Sequence, residues 1–178
     1  EYRLIKKTDY THIEDTEMKK VKGIPSFIVS KTVDGRKQCA IISEQGEALL
    51  QGPYRSISID KGIIVEEGDG QRLFNFDGDC LLINKNGEIS SVDVDANNYI
   101  YKSTSYDENT YNIYLNKNKI YSVPSLHHQL SAPLFVKYKK DKYIIISDRI
   151  SNDEGSREEE YFLYSYGGDK IKQISEDE

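Results

Sequence analysis

Asp93, Asp95 and Asn97 have the spacing with which a loop can bind a hard cation through side-chain oxygens. The calcium-binding loop that uses this spacing also requires a glycine at its sixth position and a glutamate at its twelfth. Asn98 and Thr104 occupy those positions here. The segment is therefore interpreted as a solvated turn between repeats, and whether Asp93, Asp95 and Asn97 bind a cation stays open.

His12, His127 and His128 are the other candidates for a metal ligand or a general base. The sequence contains no C-x-x-C, H-E-x-x-H or G-x-S-x-G element that would supply partners for them. His12 and His127 lie in segments that align when the chain is compared with itself, so repeat geometry would bring them to one rim. Structural histidines are the preferred interpretation, and no metal or cofactor is expected.

Neighbouring carboxylates occur at Glu66 and Glu67 and at Asp77 and Asp79. A glycoside hydrolase needs two carboxylates that flank a cleft, but a chain with 30 acidic residues places some side by side by chance. The glycine-rich segment 68–70 precedes no helix, so it lacks the helix N-terminus that binds phosphate. The sequence predicts a noncatalytic protein, with a glycoside hydrolase-like enzyme as a further alternative.

Tyrosine occurs 14 times, and two pairs have the spacing of side chains on one face of a strand. These pairs are Tyr99 with Tyr101 and Tyr164 with Tyr166, and all four are candidate binding residues. The preferred interpretation is that the rings fill the space between adjacent sheets. The alternative is an exposed tyrosine-rich face that binds a protein or a glycan.

The segment 148–160, DRISNDEGSREEE, is polar and strongly acidic. Such a composition cannot supply a core, so it predicts a protruding loop. Glu158, Glu159 and Glu160 at the end of this loop are candidate binding residues, because they would attract a basic patch on a partner.

Short apolar runs alternate with Gly- and Asp-containing turns, as in residues 63–82, and this pattern is typical of β-hairpins. It recurs in four units, at approximately residues 10–50, 54–83, 89–123 and 126–174, near the roughly 40-residue period of propeller blades. A single all-β domain, 1–178, of repeated antiparallel β-meanders is predicted, either propeller-like or an open β-repeat array. One short helix is expected at Asp15–Val21.

Residues 39–54 and the run that follows, Ile57 and Gly62-Ile63-Ile64-Val65, resemble the WG-repeat family. The family pattern, I-D-K-x-G-K-x-V-I-x-P-x-Y-D, is matched in residue type by ISEQGEALLQGPY at 42–54. The Trp-Gly pair of the family is absent, since the chain contains no tryptophan. The resemblance implies a repeated β-hairpin architecture whose members are interaction modules without assigned chemistry.

The bulk composition limits the classes of partner. A net charge of −6 argues against nucleic acid, and no apolar run approaches the roughly 18 residues of a membrane span. Two cysteines, Cys39 and Cys80, are expected to be free and buried. The sequence begins at Glu1 without Met, so the compartment stays open between cytoplasm and export after loss of a leader. The predicted function is noncatalytic protein–protein interaction, with carbohydrate binding as the alternative.

Overall fold

The computed structural model describes residues 8–15, 17–151 and 156–174. Within these ranges the chain forms β-strands and no helix. The strands lie in four antiparallel sheets of meander form. The predicted all-β class of repeated antiparallel β-meanders is confirmed.

The chain divides into two compact units, Glu1–Lys85 and Asn86–Glu178. The first sheet of the first unit contains β1 (His12–Ile13), β2 (Lys19–Val21), β3 (Ile24–Val33), β4 (Arg36–Ser43) and β5 (Ala48–Tyr54). The second sheet contains β6 (Ser56–Ile59), β7 (Ile63–Glu67), β8 (Gly70–Phe74) and β9 (Cys80–Asn84). In the first sheet β3 pairs with β1, β2 and β4, whereas the second sheet follows chain order.

The second unit also contains two sheets. Its first sheet is formed by β10 (Gly87–Asp95), β11 (Asn98–Ser105), β12 (Thr110–Leu115) and β13 (Asn118–Pro124), in chain order. Its second sheet is formed by β14 (His128–Leu130), β15 (Leu134–Tyr138), β16 (Asp141–Ser151), β17 (Arg157–Ser165) and β18 (Lys170–Ile174). The long strand β16 pairs with β14, β15 and β17, so it organises this sheet.

The core of the first unit forms where its two sheets face each other. It is built from buried side chains of both sheets, namely Val21, Ile41, Tyr54, Ile63, Val65 and Phe74. The rings of Tyr54 and Phe74 meet edge to face at a centroid distance of 6.5 Å. Aromatic pairs favour this arrangement, because the positive edge of one ring faces the negative surface of the other.

Strand β4 is buried on both faces. Ile41 belongs to the core between the two sheets, while Ala40 and Ile42 pack with Phe27 and Val29 on the opposite side. This division follows from the strand geometry, since successive side chains point to opposite faces. Burial on both faces explains why the second half of β4 contains the continuous apolar run Cys39-Ala40-Ile41-Ile42.

Both cysteines are free thiols, as the sequence predicts. Cys39 is buried in β4, whereas Cys80 at the start of β9 is only half-buried. Burial raises the pKa of the Cys39 thiol, because the thiolate would lose its hydration there.

The core of the second unit is likewise shared between its two sheets. The buried side chains are Ile100, Ile113, Leu115, Leu130, Ile144, Ile146, Phe162 and Tyr164. Tyr121 packs against this cluster, with its ring centroid 5.1 Å from that of Phe162. Neither sheet of the unit therefore has to bury its apolar face alone.

The predicted helix at Asp15–Val21 is wrong. Lys19–Val21 is strand β2, which pairs with the start of β3 through a two-residue turn at Lys22 and Gly23. Both turn residues have positive φ, 54° and 70°, which is the backbone form of a tight hairpin. Val21 is fully buried in the core, and that contact outweighs the helix propensity of the segment.

The acidic segment 148–160 is not a loop throughout. Residues 148–151 continue β16, and residues 157–160 begin β17, with Asp148 opposite Glu160. Residues 152–155 lie outside the described part of the chain. The loop prediction is wrong for the flanking residues, because Asp148 is buried among polar partners that composition does not reveal.

Ile41 and Ile13 offer a matched test of the shared core. Ile41 is fully buried, whereas Ile13 in β1 of the same sheet is 49% exposed. We expect Ile41→Ala to lower the free energy of unfolding by about 2–5 kcal/mol, because it leaves a cavity between the sheets. Ile13→Ala should change it by less than about 0.5 kcal/mol in the same urea titration. Equal effects of the two substitutions would contradict the placement of the core.

Candidate functional site

The first unit contains a cleft at the ends of its hairpins, with a volume of about 670 Å³. We call it the hairpin-end cleft. Its lining comes from the start of β4, the end of β5 with the residue that follows it, and the end of β7 with its turn to β8. The lining residues are Arg36, Lys37, Gln38, Pro53, Arg55, Glu67, Gly68 and Asp69. Connections at the surface carry function more often than the strands that they join.

Ion pairs position several of the lining side chains. Lys37 Nζ lies 2.5 Å from Glu14 Oε2, and Arg55 Nε lies 3.3 Å from Glu66 Oε2. Glu67 is paired with Arg72, which lies outside the lining. The hydrogen bonds from Lys37 and from the Ser30 hydroxyl lower the pKa of Glu14. The charges of Lys37, Arg55 and Glu67 are therefore already compensated by neighbouring side chains.

Arg36 and Asp69 differ from the other charged groups of the cleft. Both are exposed, and within the described residues neither has an ion pair or a hydrogen bond through its side chain. They lie beside the turns of two different hairpins, Arg36 at the first residue of β4 and Asp69 between β7 and β8. The cleft therefore presents one free cation and one free anion to a ligand.

The backbone around Asp69 has little freedom to change. Gly68 has a φ of +62°, in the left-handed region that favours glycine. A Cβ on Gly70 would lie 2.1 Å from the carbonyl oxygen of Asn84, so only glycine allows β8 to approach the end of β9. Asp69 is therefore held between a position that favours glycine, Gly68, and one that only glycine can occupy, Gly70.

A smaller cleft of about 390 Å³ lies within the second unit. We call it the aromatic cleft. Its lining includes Asp95, Phe135, Lys137, Lys142 and Tyr166. The end of β10, strand β15, the start of β16 and the residue after β17 supply these side chains. The rings of Phe135 and Tyr166 are both partly exposed, with centroids 4.9 Å apart.

Asp95 is the centre of a small polar network in the aromatic cleft. Lys142 Nζ and the Tyr166 hydroxyl both donate to its Oδ2 atom, at 2.6 Å and 2.7 Å. These two hydrogen bonds hold the pKa of Asp95 below its usual range, the bond from Lys142 most strongly. Burial and the bond to Asp95 raise the pKa of Tyr166. The carboxylate is therefore ionised and the phenol remains a donor.

The cation-binding interpretation of Asp93, Asp95 and Asn97 gains no support from this geometry. Asp95 stands opposite Asn98 in the hairpin between β10 and β11, so the turn lies inside one sheet and not between repeats. An ammonium group already occupies Asp95 Oδ2. Across residues 8–15, 17–151 and 156–174, no three His, Cys, Asp or Glu side chains converge as metal ligands would.

Three of the four candidate tyrosines are buried. Tyr99, Tyr101 and Tyr164 lie inside the second unit, where the Tyr101 ring stacks on Tyr114 at 5.5 Å and 7°. Tyr164 belongs to the core that the two sheets of the unit share, and Tyr99 and Tyr101 are buried in β11. Tyr166 alone keeps part of its ring at the surface, in the aromatic cleft. An exposed stripe of four tyrosines is not present among these residues.

The candidate glutamates line a charged groove of about 490 Å³ with Arg149 and Arg157. Glu159 accepts hydrogen bonds from the Ser147 hydroxyl at 2.7 Å and from Arg149 at 3.4 Å. Glu160 accepts one from Gln173 at 2.8 Å. Glu158 is exposed, and no partner for its carboxylate is found within the described ranges. Of the three glutamates, only Glu158 therefore lacks a hydrogen bond to its carboxylate within the described residues.

Sequence reasoning missed a buried polar cluster around Asp148. This side chain is 0% exposed, and its Oδ2 accepts the Tyr121 hydroxyl at 3.0 Å and His128 Nδ1 at 2.8 Å. Burial and the nearby carboxylate raise the pKa of Tyr121. His12, which aligns with His127 when the chain is compared with itself, forms a hydrogen bond with the adjacent Thr11 hydroxyl. The sequence around Asp148 does not indicate that this residue is buried, since its hydrogen-bond partners lie on other strands.

No family model matches this chain, and no curated protein or solved structure is significantly similar to it. The resemblance to WG repeats therefore stays a prediction. The described residues include no helix that is long and apolar enough to cross a membrane.

The network around Asp95 predicts a pH-dependent contribution to stability. Because the folded state lowers the pKa of Asp95 from about 3.9, its ionised form stabilises the fold above about pH 4. This contribution is lost as the pH falls through the lowered folded-state pKa. We expect Asp95→Asn to lower the Tm at about pH 7, and we expect the difference from wild type to shrink towards about pH 3. A difference that is independent of pH would show that the charge is not responsible.

We expect the protein to become less stable when one of the two hydrogen-bond donors to Asp148 is removed. Tyr121→Phe keeps the ring packed on Phe162 but removes one of two hydrogen bonds to a buried carboxylate. We expect the free energy of unfolding to fall by about 1–3 kcal/mol, because the lost bond is not replaced by water. Tyr138→Phe, at a tyrosine that is 64% exposed, is the matched control and should be neutral. Urea denaturation measures both, and a neutral Tyr121→Phe variant would contradict the cluster.

Proposed function

We propose that this protein is a noncatalytic interaction module that binds an extended segment of a partner protein in the hairpin-end cleft. The observation that carries the proposal is the pair of uncompensated charges, Arg36 and Asp69, on two hairpins that border one cleft. The remaining charged lining residues are paired with neighbours and shape the walls.

The size and chemistry of the cleft fit a peptide. Its volume of about 670 Å³ lies within the range of about 300–1,000 Å³ that is typical of ligand pockets. Arg36 is suited to a carboxylate, because a guanidinium donates two parallel hydrogen bonds to it. Asp69 is suited to a Lys or Arg side chain or to a backbone N–H group. A segment that carries both charges would satisfy both residues at once.

The charges that line the cleft also favour a segment whose own charges are complementary to them. The lining contains three cations, Arg36, Lys37 and Arg55, and two anions, Glu67 and Asp69. Such a mixed surface attracts neither polyanions nor polycations strongly, but it repels a segment whose charges are in the wrong order. The resemblance to WG repeats, whose members are interaction modules, points in the same direction.

A peptide selection tests the proposal. A random display library is selected on the intact chain, and the affinity of enriched peptides is measured by fluorescence anisotropy. We expect enriched peptides to combine an acidic and a basic residue, and Arg36→Glu to weaken their binding by at least about tenfold. Lys117→Glu is the matched control, since Lys117 is an exposed cation in the second unit, and it should leave binding unchanged.

A charge exchange sharpens this test. In the double variant Arg36→Glu with Asp69→Lys, peptides with reversed charges should bind better than the original peptides. The variant Glu158→Lys examines the charged groove that sequence reasoning favoured. If Glu158→Lys abolishes peptide binding while Arg36→Glu does not, the hairpin-end cleft is not the binding site. The proposal also fails if no peptide is enriched.

A further inference from the structure

We propose that the aromatic cleft of the second unit binds a saccharide. This inference concerns a second class of ligand at a different site and does not rest on the proposed peptide binding. It follows from a juxtaposition in the structure: two partly exposed aromatic rings, Phe135 and Tyr166, border a cleft with a fixed carboxylate, Asp95, and two ammonium groups.

The aromatic rings supply the apolar side of the site. The C–H groups of a sugar ring form an apolar face, which packs against aromatic surface while the hydroxyl groups remain available for hydrogen bonds. The ring planes of Phe135 and Tyr166 are inclined at 53°, and both residues line the cleft. Lys142 Nζ lies 5.4 Å from the centroid of Tyr166, which holds this ring in place.

The polar groups match the donor and acceptor pattern of neighbouring hydroxyls. Asp95 uses Oδ2 for Lys142 and Tyr166, and within the described residues its Oδ1 atom has no hydrogen-bond partner. An ammonium group has three N–H donors, of which Lys142 uses one on Asp95. One sugar hydroxyl can therefore donate to Asp95 Oδ1 while the next accepts from Lys142. Lys137, which is exposed on β15, supplies a further donor.

The charge balance favours a neutral ligand. Asp93 and Asp95 contribute two negative charges to the lining, and Lys137 and Lys142 contribute two positive charges. A site without net charge gains little from a strongly anionic ligand, but its polar atoms still require hydrogen-bond partners. A hydroxyl-rich, uncharged molecule provides these partners without a charge to desolvate.

The cleft is organised before any ligand arrives. Asp95 is held by donors from two other strand ends, and Tyr166 is held by Asp95, Phe135 and Lys142. Fixing side chains in advance reduces the entropy that binding would otherwise cost. The volume of about 390 Å³ is at the small end of the range for ligand pockets, which suits a short oligosaccharide.

An oligosaccharide array followed by titration tests this inference. The intact chain is applied to immobilised neutral and acidic oligosaccharides, and the free form of each positive oligosaccharide is titrated by NMR. We expect a neutral oligosaccharide to bind and to shift amide resonances around Asp95 and Lys142. Failure of every oligosaccharide on the array to bind would overturn the inference, whatever the outcome of the peptide selection.

Two matched pairs of variants locate the site. Tyr166→Ala removes a ring of the cleft and Lys137→Ala removes a donor. Tyr138→Ala and Lys139→Ala remove the same chemistry from the exposed turn of the β15–β16 hairpin, outside the lining of the cleft. We expect Tyr166→Ala to weaken binding by at least about tenfold, Lys137→Ala to weaken it less, and both controls to stay within about twofold. Because Lys137 is exposed, its variant folds even if Tyr166→Ala does not. Equal effects of the Lys137 and Lys139 variants would place binding elsewhere.

Discussion

The structure depends on the burial of two sheets against each other within each unit. A single meander of short strands has two faces, and it cannot remove both from water. In the first unit Ile41 of β4 and Ile63 of β7 meet in one core, and in the second unit Ile113 and Ile146 do the same from different sheets. Burial of this apolar surface is the main favourable term for folding. The hairpin turns can then vary without loss of the core.

Polar side chains inside the second unit are arranged around two carboxylates in different environments. Asp148 is fully buried and depends on donors from β13 and β14, so its partners are part of the fold. Asp95 lies at a strand end and remains partly exposed, so one oxygen still faces the aromatic cleft. Partners within the fold satisfy Asp148 Oδ2, whereas the buried Oδ1 atom has no hydrogen-bond partner among the described residues. A partly exposed carboxylate can also receive a ligand.

The fold class and the order of meanders followed from local signals. Asp34 and Gly35 both adopt positive φ at a hairpin turn, as their residue types indicate. Lys22 and Lys139 do the same, but lysine gives no such signal, and Gly23 with the following Pro25 is typical of a helix end as well as of a hairpin turn. Asp148 was assigned to a loop because the strands that satisfy it are distant in sequence. Contacts of this kind cannot be inferred from composition or periodicity.

The hairpin-end cleft lies where the fold constrains side chains least. Strand interiors are fixed by packing, and Gly68 and Gly70 are fixed by backbone geometry and close approach. Arg36 and Asp69 are exposed and make no contact that the core requires, and exposed charges contribute little to stability. Folding therefore does not fix their identities, in agreement with the binding role that we propose for them. Other side chains at these two positions would leave the core between the sheets unchanged.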